Sequence, residues 1–321
     1  MWQRIKTAIV LVIIVGVAMF TSRQPFLFLP LLTVGTLIAS HEWTKLMPKR
    51  KQPAQFIALM LVVTLVSIFV PVSWVVWWVL SFGIWLMATK WVLVYPIQEK
   101  WYGKRLFFMG IVILTASITA MYSLWQVSPW WLMYVFLLVW CADSGAYFVG
   151  RKLGKRKLAP NVSPNKSIEG LIGGIITASL VAVGVGFGLK LDTVALVAFL
   201  GLSGLTVLAS VLGDLFESML KRRAGIKDSG TILPGHGGVL DRIDSLLSAT
   251  PVFALGVLVL VYLGVWPALG DLKGLSHATQ GWVCMPCRAL VAWINYLSYA
   301  WSFAQAVLAC RLIRWTNLPN A

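Results

Sequence analysis

Charged side chains are scarce in this chain: Asp, Glu, Lys and Arg make up 12% of its 321 residues, and only 11 are acidic. Soluble domains carry roughly a quarter charged residues, so an ordinary water-soluble fold is excluded. Cysteine is equally sparse, with four in all. Cys141 lies inside an apolar run, where it fills volume. Cys284 and Cys287 have redox or metal spacing, but no second pair or close histidine completes a zinc site, so they read as incidental residues of a tail. No small-x-small cleavage site follows the first apolar stretch, 7–20; the chain continues Thr21-Ser22-Arg23-Gln24, which points to an uncleaved first span. The alternating pattern of a membrane barrel is also missing, leaving helices as the way to satisfy a backbone in lipid.

What is present is apolar. The chain is 59% hydrophobic, contains 17 Trp, and carries a formal net charge of +16 from 27 Lys+Arg. In a soluble protein such an excess would suggest nucleic acid. Here the cations are divided among short loops between apolar runs, which excludes that partner and suits anionic lipid headgroups. The runs fall near 7–22, 25–40, 55–72, 74–89, 106–125, 130–149, 171–189, 193–213 and 246–266. They predict an all-α, polytopic integral membrane protein with about nine transmembrane helices and a C-terminal hydrophobic tail, 267–321. Lys and Arg concentrate in loops 41–54, 90–105, 150–170 and 214–245, and the intervening connections hold few. That alternation predicts a cytoplasmic N-terminus with the four basic loops inside. Run 171–189 holds Gly173, Gly174, Gly184, Gly186 and Gly188, which predict close helix packing.

Two segments interrupt the oil. In the first, Asp214, Glu217, Ser218 and Lys221 are spaced i, i+3, i+4 and i+7 on the expected continuation of the eighth helix. Asp241, Asp244, Ser245 and Ser248 repeat the spacing at the start of the ninth. Five of the 11 acids, Asp214, Glu217, Asp228, Asp241 and Asp244, gather here. They could pair with Arg222, Arg223 and Arg242, but such crowding favours a site for a hard cation such as Mg²⁺. Between the two faces lies Pro234-Gly235-His236-Gly237-Gly238, a turn whose bare backbone could meet a phosphate. The second segment begins with Asp143 about two turns inside an apolar helix, where a carboxylate is costly and usually functional. It continues through a basic run to Ser163-Pro164-Asn165-Lys166.

The ordered string Ser218-x-x-Lys221-Arg222, Lys227-Asp228, Pro234-Gly235-His236-Gly237-Gly238, Asp241-Arg242-x-Asp244 resembles the signature of the phosphatidate cytidylyltransferase (CDP-diacylglycerol synthase) family, bacterial type. Ala142-Asp143-Ser144-x-Ala146-Tyr147 and Ser163-Pro164-x-Lys166-Ser167-x-Glu169-Gly170 resemble two further elements of that family. Ser167 stands where the family has Thr, and Ile168 where an aromatic is common. The resemblance covers roughly residues 1–266.

It implies a Mg²⁺-dependent nucleotidyltransferase that converts CTP and phosphatidic acid to CDP-diacylglycerol and pyrophosphate in phospholipid biosynthesis. By matching positions, Asp214, Asp241 and Asp244 would bind metal, with a second cation accommodated. Lys221, Arg222, Lys227 and Lys166 would hold phosphates, and Asp143, Ser163, Ser218 and His236 would complete substrate binding. The chain then divides into N-terminal transmembrane helices (1–125), a catalytic transmembrane region (126–266) with cytoplasmic loops 150–170 and 214–245, and the tail. The expected location is the bacterial inner membrane, among its lipids, with the active site facing the cytoplasm; a homodimer is left open. A CDP-alcohol phosphotransferase is disfavoured, because its Asp-Gly-x-x-Ala-Arg element does not occur here. A transporter of an anionic lipid or nucleotide is the alternative from another class, but it should place its polar groups near the midplane.

Overall fold

Every one of the nine apolar runs forms a helix in the computed structural model, which describes residues 2–21, 27–47, 53–96, 104–233, 235 and 237–265. The helices are α1 (Trp2–Phe20), α2 (Phe28–Lys45), α3 (Pro53–Phe69), α4 (Val72–Val94), α5 (Lys104–Val127), α6 (Pro129–Leu153), α7 (Ile168–Gly188), α8 (Thr193–Ala224) and α9 (Leu240–Tyr262). Among the described residues, α4 to α9 are each long and apolar enough to cross a membrane, and Ile9–Phe20 and Pro53–Phe69 are shorter apolar helices. The chain is an all-α polytopic membrane protein. The tail, with Cys284, Cys287 and Cys310, lies outside the described residues.

Helix ends carry local signals. Ser128 precedes α6 and accepts from the Trp130 N–H at 3.3 Å, with Pro129 in the first turn, where its missing donor does no harm. Ser167 caps α7, its Oγ accepting from Gly170 N at 3.1 Å. Gly225 ends α8 at φ 69°, the left-handed conformation that glycine adopts without strain.

Two features of the fold bear on function, the first anticipated by the sequence and the second not. Helix α8 runs 32 residues, about 48 Å at 1.5 Å per residue, against a hydrocarbon core of roughly 30 Å. Residues 214–224 of the expected loop are therefore helix, as the spacing of Asp214, Glu217, Ser218 and Lys221 anticipates, and Leu215, Phe216, Met219 and Leu220 continue a buried apolar face. Loop 150–170 contains an antiparallel hairpin, β1 (Lys157–Ala159) with β2 (Ser163–Ser167), pairing Lys157 with Ser167 and Ala159 with Ser163. Glu169 ties its base together, accepting from Lys155 N, Arg156 N and Arg156 Nε at 3.0–3.1 Å.

Lipid tails are as apolar as leucine, so helices associate here through close packing and polar contacts. The closest pairing is α6 with α7. A Cβ at Gly145 would strike Thr177 and the Gly173 carbonyl, one at Gly173 would strike Val149, and one at Gly174 the Ala142 carbonyl. Gly186 is likewise closed off by Leu196, whereas Gly184 and Gly188 face open space, so the packing role expected of the five glycines holds for three. Helices α8 and α9 cross at Gly213, where a Cβ would meet Ser248 Oγ and the Asp244 carbonyl. Ser248 Oγ also donates to Ala209 O at 2.7 Å. Buried tryptophans are anchored by their indole N–H groups: Trp43 to Leu106 O (3.1 Å), Trp78 to Thr119 Oγ1 (3.2 Å) and Trp125 to Met19 O (3.0 Å).

Candidate active site

The Gly213 crossing sets Asp214 on α8 beside Asp244 on α9, since one residue past a close backbone approach has little room to diverge. Asp244 faces Asp214 and Glu217. Lys166 reaches in from β2, its Nζ 2.6 Å from Asp214 Oδ2, and both side chains keep about a quarter of their surface open. Asp143, exposed on α6, lies within electrostatic range of Lys166 and Asp214. Ser218 Oγ donates to Asp214 Oδ1 at 3.3 Å. Residues from α6, β2, α8 and α9 thus share one partly open polar cluster.

One helical turn further along α8, Lys221 makes a second cluster. Its Nζ donates to Glu217 Oε2 at 2.9 Å and to Asp241 Oδ1 at 2.8 Å. Two of its three N–H bonds are committed, leaving one for a substrate oxygen. Glu217 is 2% exposed; its other oxygen, Oε1, is buried with no donor N–H, and its carboxyl meets that of Asp244. Two buried carboxyls in contact need a proton or a cation between them.

Asp241 does not join Asp214 and Asp244 in the ligand cluster expected from spacing. Its Oδ1 receives Lys221 and Ser229 N (3.2 Å), and its Oδ2 receives Ser229 N (3.0 Å) and Gly238 N (2.8 Å). Among the described residues, no three His, Cys, Asp or Glu side chains converge as a complete metal site. The reason is geometric: spacing places Asp241 and Asp244 near one helix face, but Asp241 sits at the very start of α9 and turns back to the loop that precedes it.

That loop is closed on itself. Leu233 N donates to Gly237 O at 3.0 Å, and Gly235 and Gly237 adopt φ 76° and 81°. A Cβ at Gly237 would meet Asp241 Oδ2. Lys227 is exposed on the loop, and His236 lies outside the described residues. Arg222 Nε stands 3.5 Å from Val162 O, at the outer limit of a hydrogen bond, which brings the end of α8 against the hairpin turn. Ser163 is half-buried on β2 beside it.

Sequence reasoning missed Glu42. It lies on α2, is 0% exposed, and accepts from Leu240 N (2.7 Å), Val239 N (3.2 Å) and Ser229 Oγ (3.4 Å). The signal that could have found it is an acid at the end of an apolar helix in a chain with only 11 acids. Assigning residues 41–54 to a basic loop hid it.

With this geometry in view, similarity to known proteins is informative. A model of the cytidylyltransferase family matches residues 2–260. The phosphatidate cytidylyltransferase of Haemophilus influenzae is 39% identical over 294 residues, covering 78% of this chain and 96% of the relative. That of Pseudomonas aeruginosa is 46% identical over 174 residues, 53% of this chain and 64% of the relative. That of Bacillus subtilis is 48% identical over 124 residues, 38% of this chain and 45% of the relative.

Proposed function

The chain belongs to the cytidylyltransferase family, and we propose that it is a phosphatidate cytidylyltransferase, making CDP-diacylglycerol and pyrophosphate from CTP and phosphatidic acid. The observation that carries this reading is the convergence of Asp143, Lys166, Asp214 and Asp244, from four separate elements, beside Lys221. In the reaction a phosphatidate oxygen forms a bond to the α-phosphorus of CTP. The bond from that phosphorus to the bridging oxygen breaks, and pyrophosphate leaves with the electron pair. Phosphatidate is already ionised at neutral pH, so no side chain need take a proton from it.

Both reactants are anions, and their repulsion must be offset before they meet. Lys166 and the uncommitted N–H of Lys221 would hold phosphates, with Arg222 and Lys227 assisting. Asp143, Ser163, Ser218 and His236 would shape the pocket. Asp214 and Asp244 suit Mg²⁺, which takes one or two carboxylates and completes its sphere with phosphate oxygens and water. Glu217, whose carboxyl meets that of Asp244, would be the place for a second cation. When bound, Mg²⁺ would neutralise charge on the triphosphate and the departing pyrophosphate. Asp241 would hold Lys221 and the loop in place, reaching a metal only if released from its present donors.

The protein would sit in the bacterial plasma membrane with the polar ends of α8 and α9 on the cytoplasmic side, where CTP is found. No observation favours the transporter alternative. The test is pyrophosphate release: it should require both CTP and phosphatidic acid, whereas a carrier would release none.

A further inference from the structure

We infer that Glu42 is a positioning residue for nucleotide use, holding the glycine loop and the first turn of α9 so that Asp241 can set Lys221 toward the phosphates. This rests on the reading above. Helix α9 begins without a cap of its own: Val239 precedes it in helical conformation and offers no side-chain acceptor. The first N–H groups of any helix need acceptors, and Glu42 supplies them from a helix nearly 200 residues away in sequence. Its carboxylate is fully buried, so removing it would strand donors with no water to take its place.

The loop is built around this one group. A Cβ at Gly230 would fall on Glu42 Oε1, and one at Gly238 on Oε2. Two residues touch both acids: Ser229 points its Oγ at Glu42 and its N–H at Asp241, and Gly238 packs against Glu42 while donating its N–H to Asp241. The chain of contact therefore runs from Glu42 through Ser229 and Gly238 to Asp241 and on to Lys221. Glu42 touches none of the groups proposed to meet substrate, so it acts through the loop. The neighbouring Trp43 fixes α2 against α5 through Leu106 O, which keeps the clamp's base still.

The test uses the full chain in lipid or detergent, with CTP and phosphatidic acid varied in turn. Glu42→Gln should raise KM for CTP by about tenfold or more, the worth of one lost charge-assisted hydrogen bond, with KM for phosphatidic acid within about twofold of normal. Thr36→Ala, which removes only a bond within α2, should change neither. Hydrogen exchange should quicken across 229–241 in Glu42→Gln and stay as in the unaltered protein in α5. Equal KM values for CTP, or exchange that is unchanged or faster throughout, would overturn the inference. Should Glu42→Gln fail to fold, Gly238→Ala pushes on the same carboxylate from the loop and must give the same KM split. An unaltered protein that makes no product would refute the proposed function, while the exchange comparison would still decide whether Glu42 clamps the loop.

Discussion

Lys166 Nζ stands 2.6 Å from Asp214 Oδ2, joining the hairpin that precedes α7 to the polar end of α8. This ion pair brings the hairpin against the candidate site. Lys166→Ala leaves Asp214 facing Asp244 without its cation and removes a proposed phosphate partner. It should lower kcat/KM by about 10- to 100-fold, the range for losing a hydrogen bond to a charged group. Lys155→Ala should stay within about twofold, because only the backbone N–H of Lys155 holds Glu169, and an exposed charge is worth little. Steady-state kinetics on the two variants decide it, and equal modest effects would remove the hairpin from the site.

The acids should separate by their Mg²⁺ response. Asp214→Asn and Asp244→Asn should each lower the rate on the order of a thousandfold and raise the Mg²⁺ needed for half-maximal activity. Asp241→Asn should also be severely impaired, since Lys221, Ser229 and Gly238 lose a charged partner, but with an unchanged Mg²⁺ requirement. Mg²⁺ titration of all three is the measurement. A shifted requirement for Asp241→Asn would make it a ligand.

The crossing of α8 and α9 predicts a contrast between glycines on one helix. Gly213→Ala presses on Ser248 Oγ and the Asp244 carbonyl and should destabilise the protein by about 1–3 kcal/mol, with loss of activity as Asp214 and Asp244 move apart. Gly204→Ala meets open space and should be tolerated. Thermal inactivation in detergent compares them.

The helices were legible because lipid leaves the backbone one choice, and all nine runs became helices. The extension of α8 past Gly213 was legible in the spacing of Asp214, Glu217, Ser218 and Lys221, but its end at Ala224 was not, since the residues there look polar as a string while their buried side is Leu215, Phe216, Met219 and Leu220. In the site, periodicity brought Asp214, Ser218 and Lys221 to one face and correctly joined that face to α9. It could not say that Asp241 would spend both oxygens on its own loop, because that depends on where Ser229 and Gly238 fold back. Glu42 was out of reach for the same reason: its partners, Val239 and Leu240, lie 197 and 198 residues away and offer backbone N–H groups, which leave no mark in a sequence.

Residues 267–321 should be dispensable for chemistry, since every residue given a role in binding or chemistry lies at or before Asp244. A chain ending at Gly270 should insert and retain activity within a few-fold. If it inserts stably and makes no product, the tail contributes to the site.

Incubating the purified protein with cytidine-labelled CTP, phosphatidic acid and Mg²⁺, then extracting the lipid, reads the proposed transfer itself. The label should pass into a lipid that co-migrates with CDP-diacylglycerol, with one pyrophosphate released per label transferred. Label that stays wholly in the aqueous phase, from a folded preparation across varied lipid, detergent and divalent conditions, would show that the protein does not make CDP-diacylglycerol.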